Sequence, residues 1–255
     1  GGGIGLSTKS WLAWYFDNGG KELYDQLWSE MGMNVKGFVM ASSGPEALGW
    51  FKEPIKNMDD FRKYRFRTPP GIPGQTYKDI GIASVSLSGG DILPALEKGT
   101  IDAAEWCCPK PDSVFGFQKV LKNYYLQGLH QNVVNGDIYI NGDVYNSLTD
   151  HQKYAMEVAS EAMITRNITN RAVENGKALI DLTENHGVKL WDTPADYFTE
   201  YMNAAQATLK KNAASNAFFK EVYEHMTAHA KIVVPFIAQM ETSDASIGTA
   251  FASQQ

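Results

Sequence analysis

Two short stretches hold residues whose types and positions can do chemistry. In IDAAEWCC (101–108) an alternating apolar segment runs into a glutamate, a tryptophan and two adjacent cysteines, none of which the end of a plain strand requires. A carboxylate at such a place serves as a general base, a metal ligand or a capping group, and residue type alone does not choose among them. In YRFRTPP (64–70) strict alternation sends Tyr64, Phe66 and Thr68 to one side and Arg65 and Arg67 to the other, and the prolines stop the strand. Arg67 therefore stands at a strand's C-terminal end, where open α/β sheets collect ligands and where a guanidinium can match a carboxylate with two parallel hydrogen bonds. An exposed salt bridge is the competing reading.

Other constellations carry less. SGGD (88–91) sits between a strand and a helix; it reads as a tight turn with Asp91 capping the helix, an anion on its backbone N–H groups being the alternative. His225 and His229 are four apart on one helical face, a metal-ligand spacing, but no third ligand is visible and a solvated face is the reading kept. NIT (167–169) matches a glycosylation acceptor yet falls inside a helical pattern. No P-loop, GxSxG elbow, HExxH or dinucleotide fingerprint is present.

The elements that must position these groups alternate. KELYDQLWSEMG (21–32) spaces Leu23, Leu27, Trp28 and Met31 as an amphipathic helix before a glycine stop, and NVKGFVMA (34–41) reads as a strand. From 58 to 106 helices and strands alternate, which predicts an α/β layer with mostly parallel pairing. Thr149 and Gln152 hold capping-box positions at the head of a helical pattern that continues to 187, long enough to bridge two lobes. A strand VKLWD and helices over 194–211 and 215–240 follow.

Composition narrows the classes. The 255 residues, 44% of them hydrophobic, suffice for a substantial core. Twenty-three basic against 29 acidic residues, net charge −6, argue against nucleic acid as a partner. Cys107 and Cys108, being neighbours, cannot staple distant parts of the fold and read as free thiols, a vicinal disulfide being the alternative. Apolar runs such as IVVPFIA (232–238) fall short of the roughly 20 residues a bilayer needs.

The order of the pieces is more specific than any of them. RFRTPPG, then VSLSGGDILPALEKGTIDAAEW, then GFQKVLKNYYLQGLHQ resembles the solute-binding (DctP-type) subunits of TRAP transporters, in the branch that takes 2-oxo and 2-hydroxy monocarboxylates. The resemblance implies an α/β fold like that of the periplasmic binding proteins: two lobes, a cleft between them and a long helix crossing both. On it, lobe one takes 1–41 and 131–165 and is incomplete, lobe two takes 42–130 and 166–230, and 231–255 forms a C-terminal helical segment. It further implies a signal peptide and the opening strands of lobe one ahead of WLAWYFDNGG (11–20), a periplasmic location, TRAP permease membrane subunits as partners and a homodimer.

Residue by residue, the resemblance gives Arg67 the substrate carboxylate, and gives Glu105, the Trp106 carbonyl, Glu46 and Gln131 a calcium or sodium ion bridging protein and substrate. Ser42 and Phe117 join the substrate set, with Trp50 and Phe51 as further apolar walls. Two carboxylates, one calcium ion and one guanidinium leave a balance that a monocarboxylate neutralises, and an oxygen-only donor set argues against zinc. Ser42, the cysteine pair and Lys110 depart from the family pattern, and Lys110 either favours a second acidic group on the ligand or points to solvent. The function expected is that of a receptor, not an enzyme. The alternative is a metal-assisted enzyme acting on small keto acids, with Glu105 as base and His130 beside it.

Overall fold

The computed structural model describes residues 3–254; Gly1, Gly2 and Gln255, at the outer ends of the expected lobe-one and C-terminal segments, lie outside the described residues. Helices α1 (Thr8–Asp17) and α2 (Gly20–Glu30) lead into β1 (Val35–Ser43) and β2 (Gly49–Phe51). Then come α3 (Met58–Phe61), β3 (Arg65–Thr68), α4 (Ile72–Asp79), β4 (Ala83–Ser86), α5 (Gly89–Glu97) and β5 (Ala103–Ala104). Next are α6 (Pro109–Phe115), a 3₁₀ turn at Phe117–Lys119, β6 (Asn123–Tyr125), β7 (Val134–Asn141) and α7 (Gly142–Ser147). The chain finishes with α8 (Asp150–Asn185), β8 (Lys189–Trp191), α9 (Ala195–Ser215) and α10 (Ala217–Ala252).

β1 and β7 form an antiparallel two-stranded sheet, and six strands form a second sheet in the order β4-β3-β5-β2-β6-β8. Pairing over 58–106 is parallel, as expected: β3 is parallel to β4 and β5, and beyond that stretch β6 is parallel to β8, while β2, which precedes it, runs antiparallel to both β5 and β6. Consecutive side chains on these strands enter opposite cores. Phe51, Phe66, Ala103 and Tyr125 pack with Tyr77 of α4 and Tyr197 and Tyr201 of α9. Trp50, Ala104 and Tyr124 pack on the other face with Ile92 and Leu96 of α5 and Leu182 of α8.

α8 joins the two sheets. Its 36 residues, about 54 Å of helix, begin at the expected capping box of Thr149 and Gln152. Short of its middle Ile164 packs with Trp14, Tyr15, Leu23 and Val39 beside the small sheet; near its end Leu182 lies in the large-sheet core. α10 continues unbroken from Ala217 to Ala252, so 231–255 is not a separate segment among the described residues. His225 and His229 do not form a solvated face: His225 Nδ1 accepts from Trp14 Nε1 at 2.9 Å, and buried His229 bonds Asn18 and the Ser10 carbonyl. They pin α10 to α1. No helix among the described residues is long and apolar enough to cross a membrane.

Where β2 and β5 meet, Gly49 has φ +133°, and a Cβ there would stand 2.6 Å from the Ala104 carbonyl oxygen and 3.1 Å from Glu105 Cβ. Only glycine meets both conditions. Gly49→Ala is expected to lower unfolding free energy by about 2 kcal/mol or more, measured by urea titration, because it strains the backbone and pushes against the strand that carries Glu105.

Candidate functional site

Reversal of β2 is what assembles the site. Its N-terminal end lies beside the C-terminal ends of β5 and β6, so the residues before β2 meet those that follow the other two strands. The Ala47 N–H donates to the Cys107 carbonyl at 2.8 Å and the Glu46 N–H to the Gln131 carbonyl at 3.0 Å. On the far side of β5, β3 pairs Arg67 with Ala104, and the Glu105 N–H donates to the Arg67 carbonyl at 3.3 Å. Glu46, Arg67, Glu105 and His130 are thereby all brought into the interior, at 5%, 5%, 0% and 3% exposure.

Glu105 divides its carboxylate. Oε1 takes the Arg67 guanidinium in a buried ion pair, and Oε2 has no hydrogen-bond partner. Arg67 also donates to the Glu105 carbonyl at 3.0 Å, and twice, from Nε and an Nη, to the Leu87 carbonyl at 3.1 and 2.9 Å. Its Cζ lies 5.0 Å from the centroid of the Trp106 ring, which in turn rests on Phe115 and Gly89. This close approach of Gly89 gives SGGD a packing role.

Facing Glu105 Oε2 are Glu46 Oε2 and the His130 imidazole. Ligand atoms of the three residues lie within 4.8 Å of one another. His130 Nε2 is 3.4 Å from Glu105 and 3.7 Å from Glu46. Glu46 Oε2, Glu105 Oε2 and both His130 nitrogens are buried without a hydrogen-bond partner, which a native interior tolerates rarely. Burial, with Glu105 and Asp112 adding their charges, pushes Glu46 up to about 9. Carboxylates sharing a dry site behave so until a cation enters. The orphaned atoms therefore fit a cation held by Glu46, Glu105 and His130.

Asp112 fixes the frame. Its Oδ2 accepts from Trp50 Nε1 and the Tyr124 hydroxyl at 2.9 and 2.8 Å, and its Oδ1 from the Cys107 N–H at 3.0 Å. It thus ties β2, β6 and the segment after Glu105 together. Burial nevertheless raises it to about 7, against those hydrogen bonds. The sequence reading missed it; an aspartate in a helix's first turn looks like an ordinary N-terminal charge.

The expected residues divide. Glu46, Arg67, Glu105 and Trp106 come together. Ser42, buried on β1, donates to Asn135 Oδ1 at 2.9 Å and lines, with Glu46, a cavity of about 840 Å³. Gln131 holds Glu46 through its main chain; the side chain brought between the glutamates is that of His130. The donor set is therefore not oxygen-only, and the argument against zinc loses its premise. Phe117 is corrected: it has 0% exposure and lies in the core against Ile92 and Trp50, not on the cavity wall. Trp50 and Phe51 are core for the same reason, since adjacent strand residues point into the two packed faces. Lys110 is exposed.

Cys107 and Cys108 lie on the same cavity as Glu46, together with Arg171 and Asn175 of α8. Their sulfurs are 2.8 Å apart, and an Arg171 Nη donates to both at 2.8 Å. The Cys107 hydrogen bond, Arg171 and Asn175 draw Cys108 below the usual thiol range, while Cys107 is pushed up.

The family of bacterial extracellular solute-binding proteins, family 7 (DctP), matches residues 6–216. The chain belongs to this family. It is 33% identical over 235 residues to a monocarboxylate 2-oxoacid-binding periplasmic protein of Nostoc sp. (strain PCC 7120), the match covering 89% of this chain and 62% of that one. The chain thus spans less than two thirds of the length of this relative. A solved TRAP transporter solute-binding protein of Bordetella bronchiseptica, a dimer with copurified calcium and picolinate, superposes with TM-score 0.91 at 28% identity over 99% of this chain and 74% of that one. One from Colwellia psychrerythraea, with bound calcium and pyruvate, gives TM-score 0.85 at 24% identity over 97% and 74%, a likeness of fold.

Glu46 sets a pH dependence. Its folded value lies above its unfolded value, so in cation-free protein its contribution to stability is complete below about pH 4.5 and is lost as pH rises toward about 9. Chelator-treated DctP-family protein is expected to show a falling urea midpoint from about pH 5 to about pH 9, with a smaller fall in Glu46→Gln. A midpoint equally steep in the variant would place the titration elsewhere.

Proposed function

We propose that this chain is the ligand-binding part of an extracytoplasmic, periplasmic receptor that takes a small 2-oxo or 2-hydroxy monocarboxylate together with a calcium or sodium ion. The observation that carries this is the convergence of Glu46 Oε2, Glu105 Oε2 and His130, buried and unpartnered, beside the Arg67 guanidinium. Glu46, Glu105 and His130, with the Trp106 carbonyl and Gln131 as further donors, would hold the cation. The cation would neutralise the carboxylates and offer vacant positions to ligand oxygens. Arg67 takes the ligand carboxylate with the charge geometry a guanidinium provides. Ser42 of the small sheet and Glu46 of the large-sheet side line one cavity, so a ligand bridging them favours a closed arrangement of the two lobes proposed for 1–41 with 131–165 and for 42–130 with 166–230. The calcium and acids bound by the solved neighbours, and the relative's 2-oxoacid, support the choice of ligand class. Delivery to TRAP permease membrane subunits follows from the family.

His130, the basic histidine that an enzyme on keto acids with Glu105 as base would need, stands in the cluster, so the fate of the acid discriminates the two readings. Isothermal titration with pyruvate in calcium buffer is expected to give one site and to return the acid unchanged. Chelation should abolish the heat, and Arg67→Lys should weaken binding at least about tenfold, since a point charge replaces a fork. Cation-independent binding, or consumption of pyruvate, overturns the reading.

The outer half of α10 exposes Ile232, Phe236, Met240, Ile247 and Phe251, all above half exposed and mostly four or seven apart. We infer that a second copy covers this stripe, as a helix face of this apolarity asks for a partner and the Bordetella neighbour is a dimer. Light scattering should give twice the chain mass, and Phe236→Ser with Ile247→Ser should give the chain mass alone. Wild-type protein that is monomeric at micromolar concentration refutes it.

A further inference from the structure

We propose that Cys107 and Cys108 form a reversible redox site: disulfide-bearing oxidants close them into a vicinal disulfide, and closure releases Arg171 into the ligand cavity. Three observations carry this. The sulfurs already touch, at 2.8 Å. Both residues are partly exposed on the wall of the cavity that also holds Ser42 and Glu46, so an oxidant of small size can reach them. One Nη of Arg171 donates to both sulfurs at 2.8 Å, and no other hydrogen bond holds that guanidinium among the described residues.

The chemistry balances with a disulfide R–S–S–R as the oxidant, the class that an oxidising compartment supplies. One cysteine sulfur attacks R–S–S–R, a mixed disulfide forms and one R–SH leaves. The second cysteine sulfur then attacks the first, the Cys107–Cys108 bond closes and the second R–SH leaves. Two electrons and two protons pass to the oxidant, and the chain loses two hydrogens. Consecutive Cα atoms are about 3.8 Å apart, shorter than the span an ordinary disulfide prefers, so this ring is strained and readily reduced. It is therefore a reversible mark and not a staple; Asp112 and the Ala47–Cys107 pairing already hold this turn.

Oxidation acts on ligand binding through Arg171. In the dithiol form its charge is spent on two sulfur acceptors. Bonded sulfurs accept poorly, so the guanidinium, which already lines the cavity with Glu46, Glu241 and Lys9, swings free of the sulfurs and its charge becomes available to a ligand there. This second half rests on the proposed receptor reading; the first does not.

The test treats the full chain with glutathione disulfide and then with dithiothreitol. Intact mass should fall by two hydrogens without glutathione addition and recover on reduction. Peptide mapping after phenylglyoxal, an arginine reagent, should show Arg171 labelled faster in the oxidised form, with exposed-helix Arg166 unchanged as control. The Cys107→Ser, Cys108→Ser variant should show no response to the oxidant. Oxidised protein should bind pyruvate on the order of fivefold more tightly than reduced. Stable glutathionylation of one cysteine, cross-linked dimers or unreacted thiols overturn the redox site. A disulfide that leaves Arg171 labelling unchanged overturns the release. If labelling rises but neither form binds any small acid, the redox site stands and the receptor reading fails.

Discussion

Two carboxylates that share a dry interior with too little positive charge are the constraint around which this molecule is arranged. With ligand atoms of Glu46 and Glu105 within 4.8 Å, their repulsion when both are ionised is about 3–4 kcal/mol at the effective dielectric of a protein. Arg67 answers only one of them, because its donors are turned to Glu105 and to the Leu87 carbonyl. Burial first, and then the neighbouring charges of Glu105 and Asp112, push Glu46 up to about 9, so it holds a proton. A fold that merely needed stability would have placed apolar side chains here, which fill a core without unsatisfied atoms. The arrangement makes sense as a socket whose missing charge comes from outside the chain.

The rest of the architecture serves to keep that unfavourable cluster from relaxing. Ladders on either side of β5 and the reversed course of β2 fix three main-chain segments at one end of the sheet's interior strands, and each carries one member of the cluster or its neighbour. Asp112 then bonds Trp50, Tyr124 and Cys107, so the frame is held by hydrogen bonds on the Glu105 side as well as by the aromatic cores above and below the sheet. Gly49 and Gly128 let backbones approach where any side chain would collide with Ala104 or with Glu46. The carboxylates cannot move apart without breaking these contacts.

How much of this can be read from sequence depends on whether a feature is periodic. α8, with its capping box and its apolar residues at helical spacing, declares itself, and so does β3, where alternation puts Arg65 and Arg67 on one side, Arg65 meeting Asp102 at the surface and Arg67 buried at the strand's end. β6 does not: three buried residues, Asn123, Tyr124 and Tyr125, are too few to show a period, and β7 alternates weakly because much of it is exposed. The strand read over 100–106 keeps ladder pairing only at Ala103 and Ala104, since Glu105 must leave the ladder to reach Arg67. The reversal of β2, and hence the meeting of Glu46 with His130, depends on contacts between segments about 80 residues apart that no local pattern encodes. Resemblance to a family named Glu46, Arg67 and Glu105, which the fold brings together, but it also named Phe117 as a wall, because an aromatic in a ligand-binding chain fits a core as well as a cleft.

The Arg67–Glu105 pair links the two parts of the proposed ligand. A cation arriving alone would draw on Glu105 and weaken its hold on the guanidinium, leaving a buried positive charge less well compensated. A carboxylate arriving alone would recruit the guanidinium and leave Glu105 facing Glu46 with no counter-charge at all. Each event by itself costs desolvated charge, whereas both together pair every group: carboxylates with cation, guanidinium with ligand, and ligand oxygens with the cation. On the proposed reading, cation and organic acid would therefore be positively coupled through side chains of this chain, and the coupling would be reciprocal, each tightening the other by the same factor. A receptor of the kind proposed would discriminate an acid with its ion from either alone through the Arg67–Glu105 ion pair.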